Sequence, residues 1–389
     1  MIKVINTEKK PIKLWLDDIE DTALEQAKNL ANLPFTFRHV AIMPDSHLGY
    51  GMPIGGVLAT LDKIIIPNAV GVDIGCGMCA VRTSLANIQI DELKVVMGLI
   101  RKKIPVGFKH HGERQAKVHM PDINHDDLTV VDRQYIRALK QIGTLGGGNH
   151  FIEIQKGSDG AIWIMIHSGS RNLGKLVADF YNKIAIDLNE KWRSSVPKNW
   201  QLAFLPFDSD EGNAYYNEMK YCVEFAFKNR LLMMERIKEI FVDNISIDIQ
   251  FDEMINIAHN YAAIENHYRQ NVMVHRKGAT LASEDLLGII PGSQGSKSYI
   301  VRGLGNQNSF NSCSHGAGRK MGRKQAIREL NYEKEVKKLD SQGILHSIRG
   351  KKDLDEASGA YKDIEKVMSN QADLVDIVVE LCPLGVVKG

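Results

Sequence analysis

Residues 69–79 read AVGVDIGCGMC, and this glycine-rich stretch follows the apolar run KIIIPN at 63–68. Asp73 and Cys76 stand among glycines, where the backbone can approach a ligand closely. Cys76 and Cys79 form a C-x-x-C, but a structural zinc site would require a second such pair, and the sequence has none. A thioredoxin-like pair would open a helix, whereas this one leads into β-like residues. Asp73 and Cys76 are therefore candidate metal ligands and Cys79 is expected in the core, with a packed, non-ligating Cys76 as the alternative.

Composition places the chain among soluble globular proteins, because 44% of its 389 residues are apolar and 25% are charged. Five cysteines, an odd number in a long chain, argue against a disulfide framework and for a reducing compartment. The sequence has no apolar run near the ~20 residues of a membrane span, and the start MIKVINTEKKPIK lacks a signal-peptide core. We therefore expect a cytoplasmic protein. A net charge of +2 does not by itself indicate a nucleic-acid binder.

Apolar periodicity predicts a mixture of strands and helices joined by glycine-rich turns. The predicted strands are 38–44, 161–166, 271–276 and 298–303, and the predicted helices are 91–103, 129–142, 171–193, 213–243 and 322–339. The helix at 213–243 is apolar on nearly all sides, so we expect it to be central or to form a partner surface. The irregular order of elements favours an α+β layered fold. Because candidate site residues run from 45 to 388, we expect one integrated domain over 1–389.

Three histidines strengthen the metal hypothesis. His150 follows GTLGGGN, His167 ends an apolar strand before a Gly/Ser turn, and His259 lies on a segment that we predict to be helical. A structural role is the default interpretation of any single histidine. Together with Asp73 and Cys76, however, the three form a ligand set that suits Mn, Fe, Co or Zn, with the carboxylate favouring Mn. Thiolate can bridge two metals and five ligands exceed the needs of one open ion, so a two-metal centre is plausible.

Three further segments are suited to phosphate. PGSQGSKSYIV at 291–301 offers backbone N–H groups and hydroxyls, and HRKGAT at 275–280 carries two cations at a predicted strand end. NSCSHGAGRKMGRK surrounds His315 with small residues and continues to Arg319 and Arg323. A neutral imidazole can attack phosphorus while arginines and metals neutralise the developing charge. His315 is thus a candidate nucleophile, and a structural role for it stays open from spacing alone.

The motifs, taken in order, resemble those of the RtcB family of RNA ligases over nearly the whole chain. They are MPDSHLGYGMPIGGV, GVDIGCGM, GTLGGGNHFIEI, HSGSR, AHNYA, HRKGAT, PGSQGSKSYIV, SHGAGR and PLGVVKG. The resemblance implies a distinctive α+β fold and a requirement for Mn²⁺ and GTP. The implied reaction joins an RNA 3′-phosphate or 2′,3′-cyclic phosphate end to a 5′-hydroxyl end, as in tRNA splicing or RNA repair.

The resemblance also implies roles for individual residues, motif by motif. The implied ligands of two Mn²⁺ ions, with Cys76 bridging, are Asp73, Cys76, His150, His167 and His259. His315 is the implied nucleophile that takes GMP from GTP. The implied guanylate contacts are Asn149, Glu153, Lys277, Ser293, Ser298, Tyr361 and Lys388, and the implied phosphate contacts are Arg171, Arg319 and Arg323. Asp45 and His47 match an acidic motif beside the metals, and Asp45 is a candidate acceptor of the proton of the attacking hydroxyl.

The alternatives to ligation share much of this site. They are a 3′-phosphate guanylyl capping enzyme of RNA or DNA, a dinuclear metal phosphohydrolase acting on cyclic-phosphate ends, and a non-catalytic RNA-binding scaffold. An archease-like activator is a further candidate partner, and the sequence does not decide whether one is needed. The segment between 103 and 129 departs from the family pattern, and it bears on the RNA-binding surface.

Overall fold

Strands and helices cover most of the computed structural model, which describes residues 1–61 and 63–389. The strands are β1 (Lys3–Ile5), β2 (Ile12–Leu14), β3 (Thr36–His47), β4 (Ile54–Thr60), β5 (Ile64–Ile65), β6 (Gly77–Arg82), β7 (Phe151–Gly157), β8 (Ile162–Ser168), β9 (Leu205–Pro206), β10 (Ile255–Ala258), β11 (Asn260–His267), β12 (Gln270–Lys277), β13 (Ala279–Leu281), β14 (Leu287–Ile290), β15 (Ser298–Gly303), β16 (Ser312–Ser314) and β17 (Val375–Lys388). The helices are α1 (Asp21–Ala31), α2 (Pro67–Val70), α3 (Ile90–Lys103), α4 (Thr129–Gln141), α5 (Arg171–Lys191), α6 (Asp210–Asn244), α7 (Arg323–Glu329), α8 (Tyr332–Ser341) and α9 (Ile364–Ser369).

Two large sheets organise these elements. The first has the strand order β10-β6-β8-β7-β17-β15-β14 and is antiparallel throughout. The second has the order β1-β2-β3-β4-β12-β11, in which β2 and β3 form a parallel pair. Antiparallel sheets with helices packed in separate layers define the α+β class. The predicted fold class is confirmed.

The register of the first sheet brings several strand ends to one edge. Gly77 at the start of β6 pairs with Ser168 at the end of β8 and with Ala258 at the end of β10. Phe151 at the start of β7 pairs with His167, and also with Lys388 at the end of β17. Side chains just before β6 and β7, or at the ends of β8, β10 and β17, therefore meet at the same edge.

The second sheet and a short hairpin meet the first sheet at this edge. β12 ends at Lys277, and Gly278 leads directly into β13, which pairs with β16. Ala279 is opposite Ser314, so the residue after β16, His315, lies beside the turn at Gly278. The long strand β3 contributes Asp45 from the second sheet. The two sheets therefore approach each other across the predicted site.

Helix α6 is central, in agreement with its apolar character in the sequence. It packs on helices α3 and α5 and on strands β6, β8, β10 and β11. Its Tyr215, Phe225 and Phe241 are fully buried in the apolar clusters. The buried polar residues Asn229 and Arg230 of this helix also face the strand ends.

The predicted strands and most predicted helices correspond to observed elements, with two differences. The helix expected at 322–339 is two helices, α7 and α8, because the chain is extended at Leu330 and Asn331 and the Asn331 side chain caps α8. The helix expected around His259 is wrong, since His259 lies between β10 and β11. All five cysteines are free thiols, and Cys79 is buried in an apolar cluster. Along the described stretches, no helix is both long and apolar enough to cross a membrane.

Candidate active site

Five potential metal ligands meet at the shared edge of the first sheet. The Sγ atom of Cys76 lies 3.4 Å from Nε2 of His150 and 3.3 Å from Nε2 of His167. Nε2 of His150 also lies 3.3 Å from Oδ2 of Asp73. His259 follows β10, and its ring centroid lies 5.2 Å from that of His167. Residues separated by almost 190 positions are thus brought within reach of common ions.

The ligand atoms form two groups that share the thiol. Asp73, Cys76 and His150 form one group, and Cys76, His167 and His259 form the other. Within each group the ligand atoms lie within 4.8 Å of one another. A thiolate placed between two such groups can bridge two ions, and a mixture of carboxylate, imidazole and thiolate suits first-row transition metals.

His167 and His259 have the protonation that metal ligation requires. Nδ1–H of His167 donates to the carbonyl oxygen of Asn149 at 3.2 Å, which leaves the lone pair of Nε2 facing Cys76. Burial lowers the pKa of His167 and of His259 well below the ordinary value, so both imidazoles are neutral. Nδ1 atoms of His150 and His259 are buried without a hydrogen-bond partner among the described residues. Nε2 of His150 faces Asp73 and Cys76, so its unpartnered Nδ1 lies on the other side of the ring, towards Gly146.

The acidic ligands differ in their ionisation. Burial, and then the charge of Asp73, raise the pKa of the Cys76 thiol well above its usual value. Burial also opposes ionisation of Asp73, but the hydrogen bond and charge of His150 outweigh it and lower the pKa of this carboxyl. A coordinating cation reverses the balance for a thiol, because it favours the thiolate. The residues present therefore fit metal binding that is coupled to loss of a proton from Cys76.

Gly146 illustrates why glycines surround these ligands. It has φ +94°, and a Cβ atom there would lie 2.6 Å from Nδ1 of His150 and would collide with the guanidinium of Arg171. Arg171 in turn donates to Thr144 Oγ1 at 3.0 Å and to the Gly107 carbonyl at 3.2 Å. A side chain at position 146 would displace a ligand and a cation together.

His315 adjoins the metal ligands and is held from behind by Asp45. Its ring centroid lies 4.8 Å from that of His259. Nδ1 lies 2.6 Å from Oδ2 of Asp45, and the backbone N–H of His315 donates to the same oxygen at 3.1 Å. With Nδ1–H directed at the carboxylate, the lone pair of Nε2 is directed away from it. This arrangement leaves Nε2 available to act as a nucleophile or a base.

A cavity of about 170 Å³ opens in front of His315. Its wall comes from the glycine-rich loops and from the ends of β7, β8 and β17. The lining polar side chains are His47, Asn149, Glu153, His167, Ser293, Gln294, His315, Arg319, Arg323, Glu356, Tyr361 and Lys388. Most of the residues predicted to contact guanylate therefore surround one cavity.

Glu356 is the centre of a charged cluster on the cavity wall. Its Oε2 lies 3.1 Å from Nη1 of Arg319, and its Oε1 accepts from Nε of Arg323 at 3.0 Å. The Tyr361 hydroxyl donates to the same carboxylate. Burial opposes ionisation of Glu356, but the positive charges of Lys388 and Arg319 outweigh it and lower its pKa. One carboxylate thus holds two guanidinium groups at the cavity in the ionised state.

Glu153 and Lys388 form a second pair of buried titratable groups. Burial raises the pKa of Glu153 to about 8, although the charge of Lys388 partly opposes this. Burial lowers the pKa of Lys388, partly opposed by Glu356 and Glu153. The ammonium also lies 5.6 Å from the centroid of the Phe151 ring. A donor and an acceptor are therefore available together on one wall.

Apart from the predicted metal ligands, four residues singled out from the sequence lie outside the cavity lining. Nζ of Lys277 donates to the carbonyls of Tyr50 and Asn68 at 2.6 and 3.0 Å. Oγ of Ser298 accepts from Gly292 N–H at 3.1 Å and supports the turn from behind. Asp45 is fully buried behind His315, so the geometry does not place its carboxylate against an attacking hydroxyl. Arg171 lies beside Asp73, on the far side of the glycine loop.

Sequence reasoning missed two residues of α6 that hold the ligand loops. Asn229 Oδ1 accepts from the N–H groups of Gly143 and Thr144 at 2.7 and 3.1 Å. Buried Arg230 donates from Nη1 to the carbonyls of Gly75 and Ser168 at 3.1 and 2.8 Å. Glu356 was also missed. The N-R pair inside an apolar helix was the available signal for the first two, since buried polar residues require partners.

The fold and site together define an α+β protein with two thiol-sharing ligand groups and a histidine that faces an arginine-lined cavity. The family model described as tRNA-splicing ligase RtcB matches residues 26–127 and 113–389. RNA-splicing ligase RtcB of Escherichia coli K12 is 37% identical over 418 residues, covering 100% of this chain and 99% of the relative. The tRNA-splicing ligase RtcB of Thermococcus kodakarensis is 31% identical over 446 residues, covering 95% of this chain and 92% of the relative. RNA-splicing ligase RtcB of Mycobacterium tuberculosis is 32% identical over 438 residues, covering 94% and 100%. The chain belongs to the RtcB family.

Proposed function

We propose that this protein is an RNA ligase that joins RNA 3′-phosphate or 2′,3′-cyclic phosphate ends to 5′-hydroxyl ends. It uses GTP through a GMP–His315 intermediate and requires two Mn²⁺ ions. The names of the relatives support the reaction class. The observation that carries the nucleophile assignment is the position of His315, held through Nδ1 by buried Asp45, beside His259 and in front of a cavity with arginines.

The residues that would hold the two ions are the two groups that share Cys76. Bound there, divalent cations would neutralise negative charge on phosphate oxygens. The remaining roles fall to this chain's own side chains, which bind the nucleotide, orient the phosphates and activate the imidazole.

The first step loads the histidine. Nε2 of His315 attacks the α-phosphorus of GTP, so that an N–P bond forms while the bond to the bridging oxygen breaks and pyrophosphate leaves. Nδ1–H stays directed at Asp45, whose carboxylate stabilises the positive charge that the ring acquires. Arg319 and Arg323 bind phosphate oxygens, since guanidinium groups bind them in a bidentate manner.

The guanine base lies on the wall that carries Glu153 and Lys388. Guanine offers N–H donors on one edge beside the O6 acceptor, and a carboxyl oxygen that accepts next to a lysine that donates is complementary to that edge. Asn149, Ser293 and Tyr361 contact the rest of the guanylate in this proposal. The buried positions of Glu153 and Lys388 strengthen both hydrogen bonds.

Two further transfers complete the reaction after any cyclic phosphate has been opened. An oxygen of the RNA 3′-phosphate attacks the phosphorus on His315, so the N–P bond breaks and an activated pyrophosphate end forms. The 5′-hydroxyl then attacks the RNA phosphorus, a 3′–5′ phosphodiester forms, and GMP leaves. Since Asp45 is engaged by His315, we assign it to orienting the imidazole rather than to accepting the proton of the hydroxyl.

Several expectations accompany this proposal. We expect one ligase domain over residues 1–389, a cytoplasmic location, and assistance from an archease-like activator. The proposed chemistry acts on RNA ends, so it does not by itself select between tRNA halves and damaged RNA as the natural substrate.

Incubation with α-³²P-labelled GTP and Mn²⁺ tests the proposal. Wild type should carry an acid-labile label, which His315→Ala loses and His346→Ala keeps, because His346 pairs with Asp340 outside the cavity. An unlabelled wild type, or equal labelling of His315→Ala, would overturn the intermediate. Matched oligonucleotides with 3′-phosphate and 5′-hydroxyl ends then distinguish outcomes: a joined product supports ligation, and a product that stops at a guanylylated 3′ end assigns capping instead.

A further inference from the structure

Phe108 is an exposed aromatic residue beside the candidate active site. Its side chain is 97% exposed, and it lies in the connection between α3 and α4. It follows Gly107, which has φ +65°. An aromatic side chain in this position gains nothing from the protein's own core, so its contacts must come from a partner if it has any.

The backbone that carries Phe108 is fixed to the loop that leads to His150. Gly107 N–H donates to the Gly146 carbonyl at 2.9 Å, and Leu145 N–H donates to the Pro105 carbonyl at 3.0 Å. Arg171 donates to the Gly107 carbonyl at 3.2 Å. Phe108 is therefore held in a constant position relative to the metal ligands.

A continuous surface links the cavity to Phe108. The Arg323 guanidinium lines the cavity and packs on Gly148, since a Cβ there would lie 2.8 Å from its Nη2. A Cβ on Gly147 would lie 3.5 Å from the Cα of Gly107. The bare backbone of three consecutive glycines thus spans the distance between the exposed cation and the exposed aromatic ring.

The surroundings of Phe108 are basic. Lys109 and Arg137 are exposed, and Arg171 lies close by. Burial, and then the charges of Arg137 and Arg171, lower the pKa of His110, so both cations lie near the residue two positions after Phe108. The connection between α3 and α4 carries the acidic residue Glu113 near Phe108 and three aspartates further along, at 122, 126 and 127. Cations around an aromatic ring are the arrangement with which proteins bind single-stranded nucleic acid.

We propose that Phe108 is a stacking platform for a nucleobase of the RNA whose end lies in the cavity, with Lys109 and Arg137 contacting the adjacent backbone phosphates. This inference rests on the proposed function, because it assigns a position to the RNA substrate of that site. Stacking on an aromatic side chain tolerates any base, so the platform confers affinity for a single-stranded end without sequence preference.

The test is fluorescence anisotropy with a labelled single-stranded RNA that bears a 3′-phosphate. Phe108→Ala should weaken binding by about 5-fold to 100-fold, and Phe108→Trp should restore it. Ile247→Ala is the matched control, because Ile247 is 81% exposed in the loop after α6, and it should bind as wild type does. Lys109→Gln should lower the slope of log affinity against log salt by about one, whereas Phe108→Ala should leave that slope unchanged.

An abasic RNA and the GTP-labelling assay distinguish a loss of base stacking from a general loss of folding or activity. The effect of Phe108→Ala should shrink for RNA with an abasic site near the 3′ end. Labelling of Phe108→Ala by GTP should equal that of wild type, because guanylylation of His315 needs no RNA. Affinity of Phe108→Ala within twofold of wild type, or an equal loss with abasic RNA, would overturn the platform. The binding assay needs no turnover, so it remains informative even if labelling of wild type fails.

Discussion

One carboxylate oxygen of Asp45 accepts both the Nδ1–H and the backbone N–H of His315, at 2.6 and 3.1 Å. Two bonds to one oxygen fix the rotation of the ring as well as its tautomer. Gly318 allows this arrangement, because it has φ +72° and a side chain there would collide with the Asp45 carbonyl. The relationship makes Asp45 a positioning residue for the imidazole.

Asp45→Asn is expected to lower the rate of GMP transfer to His315 by about a hundredfold or more, since an amide can reverse the tautomer. The measurement is the time course of labelling by α-³²P-GTP. Asp17→Asn is the control, because the pair that Asp17 forms with Lys366 is exposed at the surface. A folded Asp45→Asn protein that labels at the wild-type rate would contradict the positioning role.

Cys76→Ser is expected to disrupt both metal groups, because both include Cys76. Wild type should bind two Mn²⁺ ions, and the variant should bind fewer and more weakly, as measured by elemental analysis after equilibrium dialysis. At a concentration of about 100 Kd, bound metal should stabilise the fold by about 2.7 kcal/mol, and chelation should remove this gain. Exposed Cys382 gives the control Cys382→Ser, which should retain both ions. Full metal content in Cys76→Ser would exclude the bridging thiolate.

Metal uptake should release a proton and strengthen as pH rises. Burial and Asp73 raise the pKa of the Cys76 thiol, so the metal-free protein carries it protonated at neutral pH. Since the metal binds the thiolate, apparent affinity increases with pH up to that raised pKa. Calorimetry in two buffers of different ionisation enthalpy measures the released proton. Uptake without proton release would show that the thiol is not a ligand.

Glu153→Gln should stabilise the metal-free protein more at pH 8 than at pH 4.5. Burial raises the pKa of Glu153 to about 8 from 4.5, so the unfolded chain loses its proton first as pH rises. The contribution of this carboxyl to stability is therefore present below pH 4.5 and is lost as pH rises to about 8. Within this window, each pH unit changes the difference in unfolding free energy between Glu153→Gln and wild type by at most about 1.4 kcal/mol. Guanidinium unfolding in EDTA checks this, with Glu113→Gln as the exposed control. A constant difference between Glu153→Gln and wild type would contradict the prediction.

Arg230→Met should loosen the ligand loops. It leaves the buried carbonyls of Gly75 and Ser168 without their donor, which should cost roughly 2 kcal/mol or more in unfolding free energy. Because these carbonyls adjoin Cys76 and His167, Mn²⁺ affinity should also fall by about 10-fold to 100-fold. Titration of folded protein with Mn²⁺ tests this, with exposed Arg328→Met as control. Unchanged affinity would confine Arg230 to a structural role.

The loops that carry the candidate metal ligands could be predicted from the sequence because their pattern is local. Asp73, Cys76 and His150 stand in glycine-rich turns, where polar residues have no structural reason to cluster. His167 was placed at a strand end because its apolar run stops there, and the structure ends β8 one residue later. Such positions depend on neighbours within a few residues.

The remaining features depend on contacts that no local pattern encodes. INIAHNYAAIE has a helical apolar spacing, but pairing of β10 with β6 and of β11 with β12 imposes strands on both sides of His259. Glu356 lies in an unremarkable charged segment, and only the approach of Arg319 and Arg323 gives it a role. Lys277 is predicted to contact guanylate, and the sequence alone does not show that its Nζ donates to the carbonyls of Tyr50, between β3 and β4, and of Asn68 in α2.

Strand β17 has a consequence for the newly made chain. It is inserted between β7 and β15, so the pairing that places Lys388 opposite Phe151 joins positions 237 residues apart. A ribosome must release the whole of β17 before the cavity wall can close, and until then the edges of β7 and β15 stay unpaired. Such long-range pairing forms slowly, and the unpaired strand edges are prone to aggregation until it has formed. Translation that stalls before residue 375 would therefore yield a chain that contains all five candidate metal ligands but lacks a completed cavity, and such a chain is expected to be degraded rather than to act as a catalyst.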